Sequence, residues 1–168
     1  HWVNGAPVTA ITFYRALLQS GTLAPMDDLI RALSSRGLNT LPLYISGLKD
    51  PVSAELLETL FAQNKPDIIL NATGFAVSQP GALRKLTAFD KADCPVLQVV
   101  LGGSTRATWL ANPQGLTPKD LAMNVVLPEV DGRILSRAIS FKSEARFDPK
   151  TEISVATHEP VPDRIAFT

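Results

Sequence analysis

The sequence predicts an α/β domain, a mostly parallel sheet with helices on both faces. Three observations carry this expectation. Short apolar runs bounded by turn residues, as buried strands are, occur at residues 6–14, 39–46, 67–72 and 95–101. The segments between them open with helix-start patterns or carry apolar residues at helical spacing, an alternation that produces parallel sheets. The 168 residues, 45% hydrophobic and 19% charged, suffice for one domain with a real core.

Residues 6–14 (APVTAITFY) are β-branched and aromatic and end on Tyr14 and Arg15. Pro25, Asp27 and Asp28 open a helix where proline and acids are favoured, Leu29, Ile30 and Leu33 give its apolar face, and Gly37 stops it. Residues 39–46 form the second strand, whose Pro42 marks a sheet edge because proline cannot complete a central ladder. Asp50-Pro51-Val52-Ser53 begins the next helix, with Leu56, Leu57, Leu60 and Phe61 at helical spacing. The third strand, 67–72 (DIILNA), lies between Pro66 and Gly74 and reads as central. A weakly patterned connection with a short helix at 82–89 leads to the fourth strand, 95–101, which ends in Gly102-Gly103-Ser104. Helical material follows at 104–110 and 117–123, the latter opening on the capping pattern Thr117-Pro118-Lys119-Asp120.

The fifth strand is read in NVVLPEVDGR, residues 124–133. Val125-Val126-Leu127 enters as a buried strand, stops at Pro128 and delivers Glu129 and Asp131 into a turn at Gly132. The natural order is the flavodoxin-like 2-1-3-4-5, a doubly wound five-stranded sheet. After Gly132 the texture changes: runs at 134–141 and 153–158, separated by Asp148-Pro149-Lys150, read as a small C-terminal β appendage. Residues 1–133 are thus the three-layer α/β part. Residues 134–168 are the appendage and the start of a next element, with Asp163 as candidate N-cap, in the same structural unit. The N-terminal stretch has neither initiator Met nor signal-peptide pattern, and the chain reads as a piece of a longer protein.

Sixteen basic and sixteen acidic residues argue against a nucleic-acid footprint. The single Cys94 excludes an internal disulfide and a cysteine-built metal cage. No apolar stretch approaches the ~20 residues of a membrane-spanning helix. P-loop, GxGxxG, GxSxG, HExxH and CxxC patterns are all absent.

Ligands of open α/β sheets bind outside the carboxyl ends of the strands. The candidates there are Tyr14, Arg15, Ser46, Gly47, Asn71, Thr73, Gly74, Phe75, Gly102, Gly103, Ser104, Glu129 and Asp131. This rim of hydroxyls, amides and exposed backbone suits a polar, carboxylate-bearing organic molecule. Each member also has a plainer reading. Gly102-Gly103 serves equally as a tight strand-to-helix turn, Arg15 as a solvated or capping charge, and Asp131 as a turn residue before Gly132. Glu129 stands apart, because a glutamate at a buried strand end is paired or used; Arg15, Arg106 or Arg133 would supply the pairing alternative.

The strings PDIILNATGFA, CPVLQVVLGGSTRATW and GLTPKDLAMNVVLPEVDGRILSRAISFK, with the long N-terminal run from GAPVTAITFYRALL, resemble the large subunits of the aerobic cobaltochelatase and magnesium chelatase family. SRAISFK after LPEVDG resembles the cobalt branch more than the magnesium branch. The resemblance implies one internal domain of a tetrapyrrole-binding subunit that carries the metal-insertion site. It implies an AAA+ ATPase subunit and an integrin-like-domain subunit as partners, the former hydrolysing ATP. It implies cobalt(II) and the corrinoid hydrogenobyrinic acid a,c-diamide as substrates, aerobic cobalamin synthesis, and a cytoplasmic setting without nucleic acid or membrane. Glu129 takes the position of the glutamate in the family's LPE(V/I)(D/E)G motif, the candidate proton acceptor and transient metal ligand, with no stably bound metal. Tyr14, Arg15, Asn71, Thr73, Gly74, Phe75, Gly102, Gly103 and Ser104 are the expected substrate-binding positions. The isolated piece is expected to fold without chelating. The alternatives are a subunit-docking scaffold without catalytic residues, a magnesium-protoporphyrin chelatase, and a binding-protein-like half-domain.

Overall fold

A computed structural model describes residues 2–150 and 152–168. His1, in the stretch read as a cut N-terminus, and Thr151, within the expected appendage, lie outside the described residues. The order is β1 (Val8–Tyr14), α1 (Arg15–Gln19), α2 (Ala24–Ser34), β2 (Asn39–Ile45), α3 (Pro51–Gln63), β3 (Ile68–Asn71), β4 (Val96–Thr105), α4 (Arg106–Ala111), α5 (Pro118–Leu121), a π turn at Ala122–Val126, α6 (Leu127–Val130), β5 (Ile134–Lys142), β6 (Arg146–Asp148), β7 (Ile153–Val155), β8 (His158–Pro160) and α7 (Pro162–Ala166).

The main sheet has the order β2-β1-β3-β4-β5-β8, parallel throughout except for the antiparallel β8. β2 with its Pro42 is an edge strand and β3 is central, as the sequence predicts. Neighbouring residues of the central strands face opposite layers, as the pleat requires. Ile11 and Leu70 join Met26 and Leu29 of α2 and Ile165 of α7. Ala10 and Ile69 join Leu57 and Phe61 of α3 and Phe89 on the other side. α3 begins at Asp50, whose carboxylate accepts from the Ser53 N–H at 3.0 Å, and Pro51 occupies the first helical position.

The largest departure lies at the expected fifth strand. Val125-Val126-Leu127 is helical, and one helical stretch runs from Pro118 through the π turn to Val130. Thr117 caps it, accepting from the Asp120 N–H at 3.1 Å and donating to the Asp120 carboxylate at 2.9 Å. Asp120 and Pro128 are buried and Asn124 half-buried, a stripe of helical period, whereas Val126 is 57% exposed. Pro128 therefore does not stop a strand. It lacks an N–H, and just ahead of it the ladder shifts to i→i−5, with Leu127 donating to the Ala122 carbonyl.

The fifth strand is instead Ile134–Lys142, expected in the appendage; it joins the main sheet alongside β4. Among the described residues only β6 and β7 form a separate hairpin, and the end of the run expected at 153–158 contributes to β8. β4 extends to Thr105, so Gly102, Gly103 and Ser104 lie within a strand rather than after one. The helix expected at 82–89 does not form. There the backbone is held by side chains instead: Ser78 accepts from the Lys85 N–H and Asp90 from the Thr87 N–H. Asp163 is in the first turn of α7, while Val161 occupies the cap position.

Candidate functional site

The end of β3 is sealed by a buried polar network. The Asn71 side-chain carbonyl accepts from the Thr12 and Thr73 hydroxyls, both at 2.8 Å. Its amide donates to the Thr73 carbonyl and to Gln98 of β4, again at 2.8 Å. Asn71 and Thr73, expected at the substrate, are fully buried, with their side-chain polar groups spent within this network. Satisfied networks of this kind fix a strand end in one conformation.

Arg133 and Asp131 extend the network. Their side chains are each 1% exposed and pair at 2.9 Å. Arg133 also donates to the carbonyls of Thr73 at 3.2 Å and Phe75 at 2.5 Å. The Asp131 carboxylate accepts from the N–H groups of Val77 at 2.7 Å and Ser78 at 3.0 Å, while its carbonyl accepts from Arg84 at 2.7 Å. Burial alone would raise the Asp131 pKa, but the Ser78 and Val77 N–H groups and Arg133 outweigh it and hold the carboxyl below its ordinary range. Burial pulls Arg133 down and Asp131 pulls it back. Asp131 does shape the turn at Gly132, with φ of 77°, yet its main task is to bind β5 to the loop after β3. Sequence reasoning missed Arg133 and Gln98 as members of this network. Their only signals were opposite charges across Gly132 and an amide inside an apolar strand.

Phe75 is the exposed end product of this arrangement. Its φ is 63°, a left-handed conformation that costs an L-residue on the order of 1–2 kcal/mol, and the residue is 48% exposed. Both backbone groups are tied. Its carbonyl takes the Arg133 hydrogen bond, and its N–H donates to the Met123 carbonyl at 2.7 Å. That carbonyl is free because the residue five positions on is Pro128, which has no N–H to return. Gly74 allows the close approach beside it: a Cβ there would stand 3.0 Å from the Met123 carbonyl oxygen and the Asn124 side chain, which would have to give way by a few tenths of an ångström. Tyr14 donates to the Gly74 carbonyl at 3.2 Å, and burial pushes its phenol above the ordinary range.

Tyr14, Gly74 and Phe75 border a crevice of about 390 Å³ at the ends of β1, β2 and β3, completed by Ser46, Gly47, Leu48, Lys49 and Ala76. Arg15 faces a smaller recess between α1 and β2. The other expected positions lie elsewhere. Gly102 is packed beneath Phe141, Gly103 donates its N–H to the Asp120 carboxylate at 3.1 Å, and Ser104 is half-buried in β4. Glu129 is exposed near the end of α6, ahead of β5 rather than after a strand, and has no side-chain hydrogen bond or ion pair among the described residues. The pairing alternative with Arg133 is not realised, since Arg133 turns inward to Asp131. Leu127 and Asp131, two positions to either side of Glu129, are half-buried and buried, so the carboxylate projects from an anchored turn. Among the described residues no group of three or more His, Cys, Asp or Glu side chains could hold a metal ion.

A family model described as CobN/Magnesium Chelatase matches residues 1–168, the whole chain. This chain belongs to the CobN/magnesium chelatase family. It is 52% identical over 161 residues to the aerobic cobaltochelatase subunit CobN of a Sinorhizobium species, covering 96% of this chain and 13% of that protein. Identity to the Pseudomonas aeruginosa CobN subunit is 40% over 166 residues, covering 99% of this chain and 13% of that one. The solved catalytic subunit of cobaltochelatase from Mycobacterium tuberculosis superposes with a TM-score of 0.77 at 28% identity, over 96% of this chain and 14% of that one. The chain thus spans about an eighth of the length of the CobN relatives it matches, at 13% each. The mixed α/β architecture with its mostly parallel sheet is shared with that solved CobN-family structure.

Proposed function

We propose that the chain forms one wall of the metal-insertion site in the large, tetrapyrrole-binding subunit of an ATP-dependent cobaltochelatase, with Glu129 as proton acceptor or transient ligand of the incoming cobalt. The substrate in this reading is hydrogenobyrinic acid a,c-diamide, and the setting is aerobic cobalamin synthesis in the cytoplasm. An AAA+ subunit and an integrin-like-domain subunit supply ATP hydrolysis and coupling. Identities of 52% and 40% to cobaltochelatase subunits, against 27% to the rice magnesium-chelatase subunit, support the cobalt branch.

The observation that carries the reading is an exposed carboxylate, unpaired among the described residues, on a backbone anchored by buried Asp131 and Arg133. Metal insertion must remove inner N–H protons from the macrocycle and strip water from a divalent ion. Glu129 accepts such a proton and, being solvated, passes it to water; the same oxygen atoms replace a departing water on cobalt(II). One carboxylate is too few ligands for storage, so contact with the metal is brief. Glu129→Gln in the full-length subunit, assembled with its partners, should slow insertion by roughly 100-fold or more. Tetrapyrrole binding and stability should stay unchanged. Normal insertion by the assembled variant would remove Glu129 from the mechanism.

A docking scaffold is the second reading, favoured by Leu83 and Leu86, which are 93% and 81% exposed on the loop between β3 and β4. Under it, Leu83→Ser with Leu86→Ser uncouples ATP hydrolysis from the complex, while Glu129→Gln leaves insertion intact.

A further inference from the structure

We infer that Phe75 is a specificity-determining contact for the apolar edge of the tetrapyrrole, presented by Arg133 and Met123 acting as positioning residues; the inference rests on the reading of this chain as a tetrapyrrole site. A half-exposed aromatic residue in left-handed backbone is doubly unfavourable, since glycine would relieve the backbone and a polar side chain the exposure. Three elements nevertheless converge to keep it there. The turn leading into β5 sends the Arg133 guanidinium to the Phe75 carbonyl. The π turn supplies the Met123 carbonyl that Pro128 leaves unused. β1 sends the Tyr14 hydroxyl to Gly74. Strain held by surrounding structure that over-determines it clusters at ligand clamps.

The crevice beside Phe75 supplies the ligand's chemistry. Leu48, Ala76, Phe75 and Tyr14 give it a partly apolar lining, with Lys49 as its charged residue. About 390 Å³ is at the small end for a site enclosing a whole organic ligand. It fits one edge of a flat conjugated macrocycle, with the ring of Phe75 against the edge and the Lys49 ammonium toward a peripheral carboxylate. The same Asp131–Arg133 pair that anchors the Glu129 turn also fixes Phe75, so the edge contact and the carboxylate share one frame.

The test is Phe75→Gly and Phe75→Tyr in the full-length subunit, titrated with hydrogenobyrinic acid a,c-diamide and followed by ligand absorbance, with thermal unfolding in parallel. Phe75→Gly should unfold at an unchanged or higher temperature and yet bind about tenfold more weakly, ~1.4 kcal/mol. Phe75→Tyr should bind like the parent. Parent-like binding by Phe75→Gly overturns the inference, and with the parent still binding and Glu129→Gln still impaired, the tetrapyrrole reading survives that result. No binding by the parent subunit overturns both. A lower unfolding temperature for Phe75→Gly would make Phe75 a packing residue and likewise overturn it.

Discussion

Replacing Asp131 by asparagine keeps the shape of the side chain and deletes its charge at the most enclosed ion pair among the described residues. The guanidinium of Arg133, 1% exposed, would face a neutral amide. The single oxygen of that amide can accept from only part of the present set, namely the Val77 N–H, the Ser78 N–H and Arg133, and its NH2 would point at one of these donors. Removing one partner of a buried pair costs ~3–5 kcal/mol, and in a chain of this size the melting temperature falls by about 6–20 °C. Circular-dichroism melts and urea unfolding of the 168-residue chain measure it. The double variant Asp131→Leu, Arg133→Met should cost less than the sum of the two singles, since the lone buried charge is then gone. The acid limb supplies a second readout. Asp131 is held below its ordinary pKa when folded, so its contribution is complete above the unfolded carboxylate range, about pH 4, and is lost as pH falls through the folded value. The Asp131→Asn variant should therefore show a shallower acid limb. A loss of less than about 1 kcal/mol at neutral pH, with an unchanged acid limb, would refute the clamp; single surface changes produce no more than that.

Gly102→Ala should cost ~1–3 kcal/mol by overpacking, because a Cβ there would lie 2.6 Å from the buried Phe141 ring; urea midpoints measure it, and a neutral result would return Gly102 to the candidates for ligand contact. His158 is pushed below its ordinary pKa by burial and then by Lys142, with Asp120 opposing. Its neutral form contributes stability above the unfolded value near pH 6.5, lost as pH falls through the folded value. His158→Gln should flatten the stability profile below about pH 6.5, and an unaltered profile would remove His158 as its source.

Four strands were legible because β-branched runs at 6–14, 39–46, 67–72 and 95–101 have few other uses, and Pro42 reports its own edge position through a missing N–H. Asp50 was legible as a helix start because its partner, Ser53, is local. The apolar triplet Val125-Val126-Leu127 misled because so short a run fits a buried strand and a helix flank equally, and Pro128 reads as a strand stop when seen without its neighbours.

By itself the sequence determined the α/β alternation, the central and edge strands and the motif that carries Glu129. These rest on periodicity, proline chemistry and residues close together in the chain. Only tertiary structure decided that 118–130 is helical, that β5 follows rather than precedes the acidic turn, and that Asn71 and Thr73 face inward while Glu129 and Phe75 face out. The physical reason is the length of the deciding hydrogen bonds along the chain. Arg133 to Phe75 spans 58 positions and Thr12 to Asn71 spans 59. Asp131 is buried favourably because folding brings the Val77 and Ser78 N–H groups, 54 and 53 positions away, to join its near neighbour Arg133.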